Sequence, residues 1–416
     1  MLTDLFPHGH KRYTSLLVLN PILEDYARWL FEQGYPRHRV RMHVRTAWHL
    51  DRALRRHGAR CPSDLNRQRL DACAPADSQD DPELAALIRC LRRFLECRGV
   101  LPPLAPPTAA EQKAATYRTY LEKVRGLSPS TIGSHLATAS RFLTHLGYES
   151  DPSCLARLTA GDIEVFVQQT GQRIGRASLQ HVVAGLRSLL RFLAARGEVP
   201  NGLDTQIDTA RVYRGEQLPR ALPWAIVCAL LRSIDRSTAL GRRDHAIFIL
   251  IATYGLRASE IVALRLDDVE WREERIRVPR PKIGTPLLLP LTDEVGASLV
   301  DYLQRGRPSD PHRELFLRCR APAGVLKPTA VTEAFQGWSR RSGLRIPFQG
   351  AHCLRHSYAV HLLRQGASLK TIGDILGHRN AESTCVYLRL AVEDLRDVAL
   401  SLPRDLAAGL PAEVRP

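Results

Sequence analysis

Apolar residues recur at three- and four-residue intervals through the first half of the chain. Between positions 128 and 146 the apolar positions are Ile132, Leu136, Ala139, Phe142, Leu143 and Leu146. Arginine, serine and histidine fill the opposite side, as in an amphipathic helix with one buried face. Ser128 and Pro129 provide an N-cap and a first-turn proline for that helix. The pattern predicts helical modules in the N-terminal half.

Two parts of this half resemble each other. The stretch 35–54 aligns without gaps on 127–146. A histidine, a threonine and an alanine are identical at aligned positions of the two stretches. Further on, RRFLECRGVLP at 92–102 parallels LRFLAARGEVP at 190–200. The offset between the copies grows from 92 to 98 residues, which indicates a short insertion in the second copy. We therefore predict a duplicated, all-helical unit.

Two breaks divide the chain into three modules. The first is the proline-rich LPPLAPPT at 101–108, and the second is a polar stretch at 201–223 that reads as an extended linker. The expected modules are a helical unit at 1–105, its duplicate at 110–205 and a C-terminal domain at 215–416.

The C-terminal domain alternates helical patterns with a short strand section. Helical patterns cover 243–265, 329–343, 351–365, 369–376 and 392–401. The stretch RIRVPRPKIGTPLLLPL at 275–291 has strand-like segments around a Pro-Lys-Ile-Gly turn, which predicts a hairpin. The predicted fold class is therefore mostly α, with a small β-hairpin or sheet in an α+β C-terminal domain.

Composition describes a basic, foldable chain. Its 59 lysines and arginines exceed its 43 acidic residues and give a net charge of +16, which favours a polyanionic partner. Because only six of the 59 are lysine, a GC-rich coding bias also contributes, and charge alone decides little. A hydrophobic content of 44% excludes an intrinsically disordered chain.

The sequence shows no signal for secretion and no membrane-spanning segment. Its start lacks an apolar signal-peptide core, and the longest apolar run, AIFILIATYGL, is too short to span a bilayer. The nine cysteines form no C-x-x-C pair, which suits free thiols in a reducing compartment. We expect a cytoplasmic protein.

Five polar residues stand at uncommon places in the helix-like sequence of the C-terminal domain. They are Arg257 in TYGLRASE, His352 and Arg355 in AHCLRHSY, and His378 and Tyr387 in ILGHRNAESTCVYLRL. Cleavage of a phosphodiester without metal needs planar cations for its oxygens, a group that titrates near neutral pH and a nucleophile. These residue types supply all three.

The pattern resembles the tyrosine recombinase (phage integrase) family over roughly 219–400. That resemblance implies site-specific cutting and rejoining of double-stranded DNA, with Tyr387 forming a 3′-phosphotyrosyl bond. The bond conserves the energy of the broken phosphodiester, so the resemblance implies no metal, nucleotide or other cofactor. An alternative reading of Tyr387 is a packed core tyrosine.

The resemblance also assigns roles to the other motif residues. Arg257, Arg355 and His378 correspond to the groups that hold the phosphate oxygens, and His352 to the group that accepts the proton of the nucleophile. Glu260, three residues after Arg257, resembles a carboxylate that orients the site, or is an acid on the helix surface.

Lys282 lies at the predicted hairpin turn. A lysine can release a proton near neutral pH whereas an arginine cannot, and its position resembles the family's hairpin lysine, the general acid for the leaving 5′-oxygen. Pro281 and Ile283 flank it in place of the family's usual glycines. The alternative is an ordinary solvated turn lysine.

Partner expectations follow from the resemblance too. The tail LRLAVEDLRDVALSL either docks on its own core or packs into a neighbouring subunit, as in the family's tetramers on DNA, possibly with sister recombinases. The second helical unit resembles the family's DNA-clasping domain. The first is either a second DNA-binding module or a protein-contact module.

Two other functions remain open from the sequence. A non-catalytic relative would serve as a DNA-binding architectural partner of another recombinase, but it would be expected to lose some active-site groups. A type IB topoisomerase would share the chemistry without strand exchange. The resemblance and the added N-terminal unit favour a recombinase of a mobile element.

Overall fold

Helices form most of the chain, and each group of helices closes around a separate apolar core. The computed structural model describes residues 1–75, 80–101, 107–209, 211–212, 218–279, 286–378, 380 and 382–390. By their contacts, Met1–Leu101 and Gln217–Pro416 form one unit and Pro102–Glu216 forms a second. Within the first unit, the Ala323 amide donates a 3.1 Å hydrogen bond to the Gln33 carbonyl.

The first helical module packs its longest helices against each other. Its helices are α1 (Leu2–Leu5), α2 (Lys11–Thr14), α3 (Asn20–Glu32), α4 (Arg37–Arg56), α5 (Arg67–Ala72) and α6 (Pro82–Cys97). The buried Asp51 of α4 accepts 2.9 Å hydrogen bonds from the amides of Val18 and Leu19. This carboxylate therefore fixes the segment that precedes α3 against the core.

The second helical module has the same order of long helices. They are α7 (Ala109–Thr119), α8 (Pro129–His145), α9 (Ala160–Gly171) and α10 (Arg176–Ala194). As predicted, the Ser128 side chain caps α8 by accepting from the Thr131 amide. The prediction of an extended linker at 201–223 is wrong in its first part, because Leu203 and Ile207 are buried in the core of this module.

The two modules repeat one buried polar contact. In the first, the Tyr26 hydroxyl lies 2.9 Å from Nδ1 of His43, and in the second the Tyr117 hydroxyl lies 3.1 Å from Nδ1 of His135. The sequence alignment pairs these two histidines. The same hydrogen bond therefore holds the same two helices together in both copies.

An aromatic ring accompanies each of these pairs. Phe94 lies 5.5 Å from the Tyr26 ring, and Phe192 lies 5.1 Å from the Tyr117 ring. Both phenylalanines come from the repeated Arg-Phe-Leu segment. An arginine four residues later covers each ring, at 5.6 Å and 5.2 Å. The repeat thus extends from sequence to three-dimensional contacts.

The C-terminal domain surrounds a buried central helix with further helices and one small sheet. Its helices are α11 (Trp224–Arg232), α12 (Ala239–Tyr254), α13 (Ala258–Ala263), α14 (Asp293–Arg305), α15 (Pro328–Arg341), α16 (His352–Arg364), α17 (Leu369–Leu376) and α18 (Glu382–Cys385). The strands β1 (Val269–Glu270), β2 (Arg275–Val278) and β3 (Leu287–Pro290) form an antiparallel sheet in the order β1-β2-β3. The predicted fold class is confirmed.

Two details of the predicted secondary structure change. The helix predicted at 243–265 is two helices, because Gly255 ends α12 in the left-handed conformation, with φ of +64°. The predicted hairpin gains a third strand, β1, which pairs Val269 with Ile276. The hairpin turn and the helix predicted at 392–401 lie outside the described residues. No helix among the described residues is long and apolar enough to cross a membrane.

Candidate active site

Two helix ends form the frame of the site. Gly255 ends α12 and Gly377 ends α17, and both adopt left-handed backbone conformations with φ of +64°. A β-carbon on Gly255 would lie 2.6 Å from Leu376 and 2.8 Å from Tyr358. Glycine is therefore required at position 255 for conformation and for space. The last carbonyls of the two helices consequently meet at one place.

Arg355 lies between these helix ends and is 2% exposed. Its guanidinium donates to the Gly255 carbonyl and, at 2.6 Å, to the Leu376 carbonyl. Carbonyls at a helix C-terminus carry partial negative charge, so they stabilise a buried cation. This arrangement holds the guanidinium plane in one orientation.

Arg257 approaches the same place from the start of α13. Its guanidinium donates to the Glu260 carboxylate at 2.8 Å and to the Gly377 carbonyl at 3.4 Å. Glu260, which is 6% exposed, also accepts from the Arg257 amide at 2.8 Å. Since the Arg257 side chain is 36% exposed, it combines a fixed orientation with access to solvent.

Tyr387 lies in the turn Val386–Leu390 and is 1% exposed. Its hydroxyl lies 3.1 Å from Nδ1 of His356. Burial raises the pKa of Tyr387, while the positive charges of Arg355 and Arg257 oppose this rise. Both predicted arginines are thus close enough to act on the predicted nucleophile.

His356 and His352 form an edge-to-face pair on α16. Their rings are 4.5 Å apart and nearly perpendicular. Burial lowers the pKa of His356 to about 4, helped by the charges of His352 and Arg355. Burial also lowers the pKa of His352. At neutral pH both imidazoles are therefore uncharged, so Nδ1 of His356 can accept a hydrogen bond from the Tyr387 hydroxyl.

His378 follows Gly377 and packs beside Tyr387. Its ring lies 6.3 Å from the Tyr387 ring in a stacked orientation, and its Nδ1 lies 2.8 Å from the Thr384 hydroxyl. The threonine therefore orients the imidazole and sets which nitrogen faces the site.

A cavity of about 350 Å³ opens beside the histidine pair. Its lining includes His352 and His356, with Arg220, Pro219 and Val386 around them. The cavity gives small polar groups access to the imidazoles, although Tyr387 itself is enclosed.

The described residues thus bring together Arg257, Glu260, His352, Arg355, His378 and Tyr387. Lys282 lies outside the described residues. His356, which hydrogen-bonds the Tyr387 hydroxyl, was not among the predicted site residues, although its position four residues after His352 places both on one helix face. Among the described residues, no three His, Cys, Asp or Glu side chains could hold a metal ion together.

Comparison with known proteins agrees with this arrangement. Residues 227–394 match the phage integrase family, and residues 114–197 match the phage integrase N-terminal SAM-like domain. A putative integrase/recombinase of Sinorhizobium fredii, y4rA, is 35% identical over 384 residues, which cover 91% of this chain and 93% of that protein. This chain belongs to the phage integrase family of tyrosine recombinases.

Further relatives of the recombinase support the assignment. The tyrosine recombinase XerD of Listeria monocytogenes is 30% identical over 280 residues, covering 66% of this chain and 92% of XerD. The fold also resembles XerH bound to a palindromic difH substrate, with 17% identity, a TM-score of 0.53, and coverage of 74% of this chain and 93% of that one. A lambda integrase dimer bound to a COC′ core site gives a TM-score of 0.52 at 17% identity, covering 66% of this chain and 94% of that one.

Proposed function

We propose that this recombinase cuts and rejoins duplex DNA at specific sites through a 3′-phosphotyrosyl bond to Tyr387, in the service of a mobile element. The observation that carries the proposal is the Tyr387 hydroxyl, which lies 3.1 Å from His356 and within the field of Arg257 and Arg355. A phosphate placed against the two guanidiniums would receive charge stabilisation where the transition state develops negative charge.

The proposed step conserves the number of phosphoester bonds. The Tyr387 oxygen attacks the scissile phosphorus, the bond from phosphorus to the 5′-oxygen breaks, and Lys282 protonates that oxygen. A 5′-hydroxyl of a partner strand then reverses the step and joins new ends. The proposed reaction uses no metal, nucleotide or other cofactor, because the phosphotyrosyl bond retains the energy of the broken phosphodiester bond.

The proton of Tyr387 passes to Nδ1 of His356 in this mechanism. The resemblance assigns this role to His352; we propose His356 instead, because its Nδ1 lies 3.1 Å from the Tyr387 hydroxyl, which would donate to it. His352 lies edge-on to that ring and adjoins the cavity, so it supports the acceptor and contacts the incoming phosphate. Glu260 positions Arg257, and His378 donates to a phosphate oxygen.

Attack also requires a movement. A tyrosine that is 1% exposed cannot stand in line with a phosphodiester until the turn Val386–Leu390 shifts toward the DNA. We infer that DNA binding provides that shift, and that the tail beyond the nucleophile contributes by docking on a second subunit. The proposed assembly is a homotetramer on DNA, possibly with sister recombinases; a solved lambda integrase is a tetramer bound to a Holliday junction.

The proposal is tested with duplex fragments from the DNA that flanks the gene. Purified protein and its Tyr387→Phe variant are incubated with the fragments without metal and then denatured in SDS. Covalent adducts formed only by the native protein are expected. Salt-sensitive binding without any adduct would instead indicate an architectural DNA-binding role, and relaxation of plasmids that lack a specific site would indicate a topoisomerase.

A further inference from the structure

Helix α4 of the first module carries an unusual line of basic side chains. We call it the basic stripe: His38, Arg41, Arg45, His49, Arg52 and Arg56. At 3.6 residues per turn these six positions fall within roughly 80° of the helix circumference and span about 27 Å. All are exposed except Arg41, which is half-buried, and the opposite face of α4 packs into the core.

The duplicated module shows that the fold does not require this stripe. In the 92-residue alignment, the first five stripe positions correspond to Ser130, Gly133, Ala137, Arg141 and Thr144 of α8, all of them exposed. The two helices therefore share a buried face but differ in the exposed one. A coding bias toward arginine would act on both copies, so it does not explain a stripe in only one.

Among the described residues, no carboxylate forms a salt bridge with an arginine of the stripe. Among the arginines of α4, the described residues pair only Arg55 with a carboxylate, Asp51, and Arg55 lies off the stripe. Arg41 and Arg45 are four residues apart, as are Arg52 and Arg56, and like charges at this spacing destabilise a helix. A line of uncompensated positive charge is best explained by an anionic partner.

Aromatic rings lie beside three of these guanidiniums. Arg41 and Arg45 lie 5.2 Å and 5.9 Å from the Phe6 ring, and Arg52 lies 5.9 Å from the Trp48 ring. Arg12 of α2 lies 4.4 Å from the same tryptophan and adds a further cation beside the stripe. Such contacts limit the rotamers of long side chains and so lower the entropy cost of binding.

We propose that the basic stripe binds the phosphate backbone of duplex DNA and makes the first module a second DNA-contacting unit. The matched family domains cover 114–197 and 227–394, so they assign no role to this module. Guanidinium groups form strong, often bidentate hydrogen bonds with phosphate oxygens, and a duplex carries a dense row of phosphates. The inference goes beyond the proposed cleavage reaction and does not depend on it.

The test compares two triple variants of the full-length protein, both made in the Tyr387→Phe background so that no strand is cut. The stripe variant carries Arg45→Gln, Arg52→Gln and Arg56→Gln. The control carries Arg28→Gln, Arg60→Gln and Arg89→Gln, which remove the same charge from exposed positions of the same module. Affinity for a long duplex of arbitrary sequence is measured at several salt concentrations, and circular dichroism verifies that both variants fold.

The stripe variant is expected to bind more weakly and with a smaller salt dependence. Each lost phosphate contact lowers the slope of log K against log salt by roughly 0.9, so three contacts lower it by about 2.7. The control variant should retain nearly the slope of the parent. Equal slopes for the two variants would overturn the proposal. Loss of self-association at an unchanged slope would also overturn it and would assign the stripe to a protein contact.

Discussion

The helical modules and the active site each contain a buried tyrosine hydrogen-bonded to Nδ1 of a histidine, but with different surroundings. The pairs are Tyr26 with His43, Tyr117 with His135, and Tyr387 with His356, at 2.9, 3.1 and 3.1 Å. In the modules, aromatic rings pack on the tyrosine. In the active site, two guanidiniums and a cavity lie nearby.

The same tyrosine–histidine hydrogen bond occurs in different surroundings, so its role is expected to differ between the modules and the active site. Burial raises the pKa of Tyr117 to about 12 and that of Tyr26 well above its ordinary value, which suits inert core residues. Burial also raises the pKa of Tyr387, and arginines oppose the rise there (Arg355 and Arg257) as they do at Tyr117 (Arg125 and Arg191). The difference therefore lies in the cavity beside the histidine partner of Tyr387. In our proposal the tyrosine–histidine contact is structural in the modules and starts a proton transfer only in the active site.

The largest effect is expected at the nucleophile. Tyr387→Phe should abolish the covalent adduct, because the attacking oxygen is gone, and should leave duplex affinity within a few-fold. Tyr117→Phe, which removes the corresponding hydroxyl from the second module, should still form adducts. Denaturing gels and filter binding measure the two quantities. A large affinity loss in Tyr387→Phe would show that Tyr387 is structural.

Substitutions of the two arginines should slow the reaction to a similar extent but differ in their effect on stability. Arg257→Gln should slow adduct formation by about 10²–10³-fold with little loss of stability, because its side chain is partly exposed. Arg355→Gln should slow the reaction comparably and also destabilise the domain by about 1–3 kcal/mol for each buried carbonyl left unpaired. Adduct kinetics and urea unfolding test both effects. Equal stability of the two variants would contradict the role of the helix-end carbonyls.

The next largest effect is expected at His356, the proposed proton acceptor. His356→Gln should slow adduct formation by about 10²-fold or more, since it replaces an imidazole with an amide that does not accept a proton. His43→Gln, in the equivalent structural pair, should leave the rate per folded molecule unchanged. If His352→Gln lowered the rate and His356→Gln did not, the assignment of the acceptor to His356 would fail.

Acid should reduce stability through the buried histidines. Burial lowers the pKa values of His43, His245 and His356 to about 4. Between pH 6.5 and 4 the unfolded chain therefore binds more protons than the folded one, so stability is complete above pH 6.5 and is lost as the pH falls through this window. The loss is on the order of 3 kcal/mol for each histidine by pH 4. Unfolding curves that did not change across this window would contradict these environments.

The smallest effect is expected from the structural pairs. Tyr26→Phe leaves a nitrogen of the buried His43 without its partner, and Tyr117→Phe does the same to the half-buried His135, so each should cost about 1–2 kcal/mol of stability, with the smaller cost for Tyr117→Phe. Neither should alter the rate of adduct formation per folded molecule. Thermal unfolding followed by tryptophan fluorescence measures the effect. A strong loss of activity from either change at full stability would undermine the separation of structural from reactive pairs.

Much of this arrangement could be predicted from residue types and spacing. The helical periodicity and the duplication were readable because they follow from local patterns, and the motif residues were readable because their types match the chemistry. Gly255 shows the limit, since a continuous helical pattern hid the left-handed turn that separates α12 from α13. The lack of space for a β-carbon at that turn comes from Leu376 and Tyr358, which lie far along the chain.

Which of two histidines hydrogen-bonds the Tyr387 hydroxyl could not be predicted for a similar reason. His352 and His356 lie on the same helix face, so spacing alone does not choose between them. The choice depends on where the turn Val386–Leu390 places the Tyr387 hydroxyl, a tertiary contact. The role of Lys282 remains a prediction, since that residue lies outside the described part of the chain.

The central claim is that Tyr387 alone among the three paired tyrosines reacts with DNA. Covalent complexes formed on flanking DNA would be digested with nuclease and protease, and the peptide that bears the nucleotide would be identified by mass spectrometry. The account predicts a nucleotide on Tyr387 and unmodified peptides for Tyr26 and Tyr117. A nucleotide on any other tyrosine would contradict it.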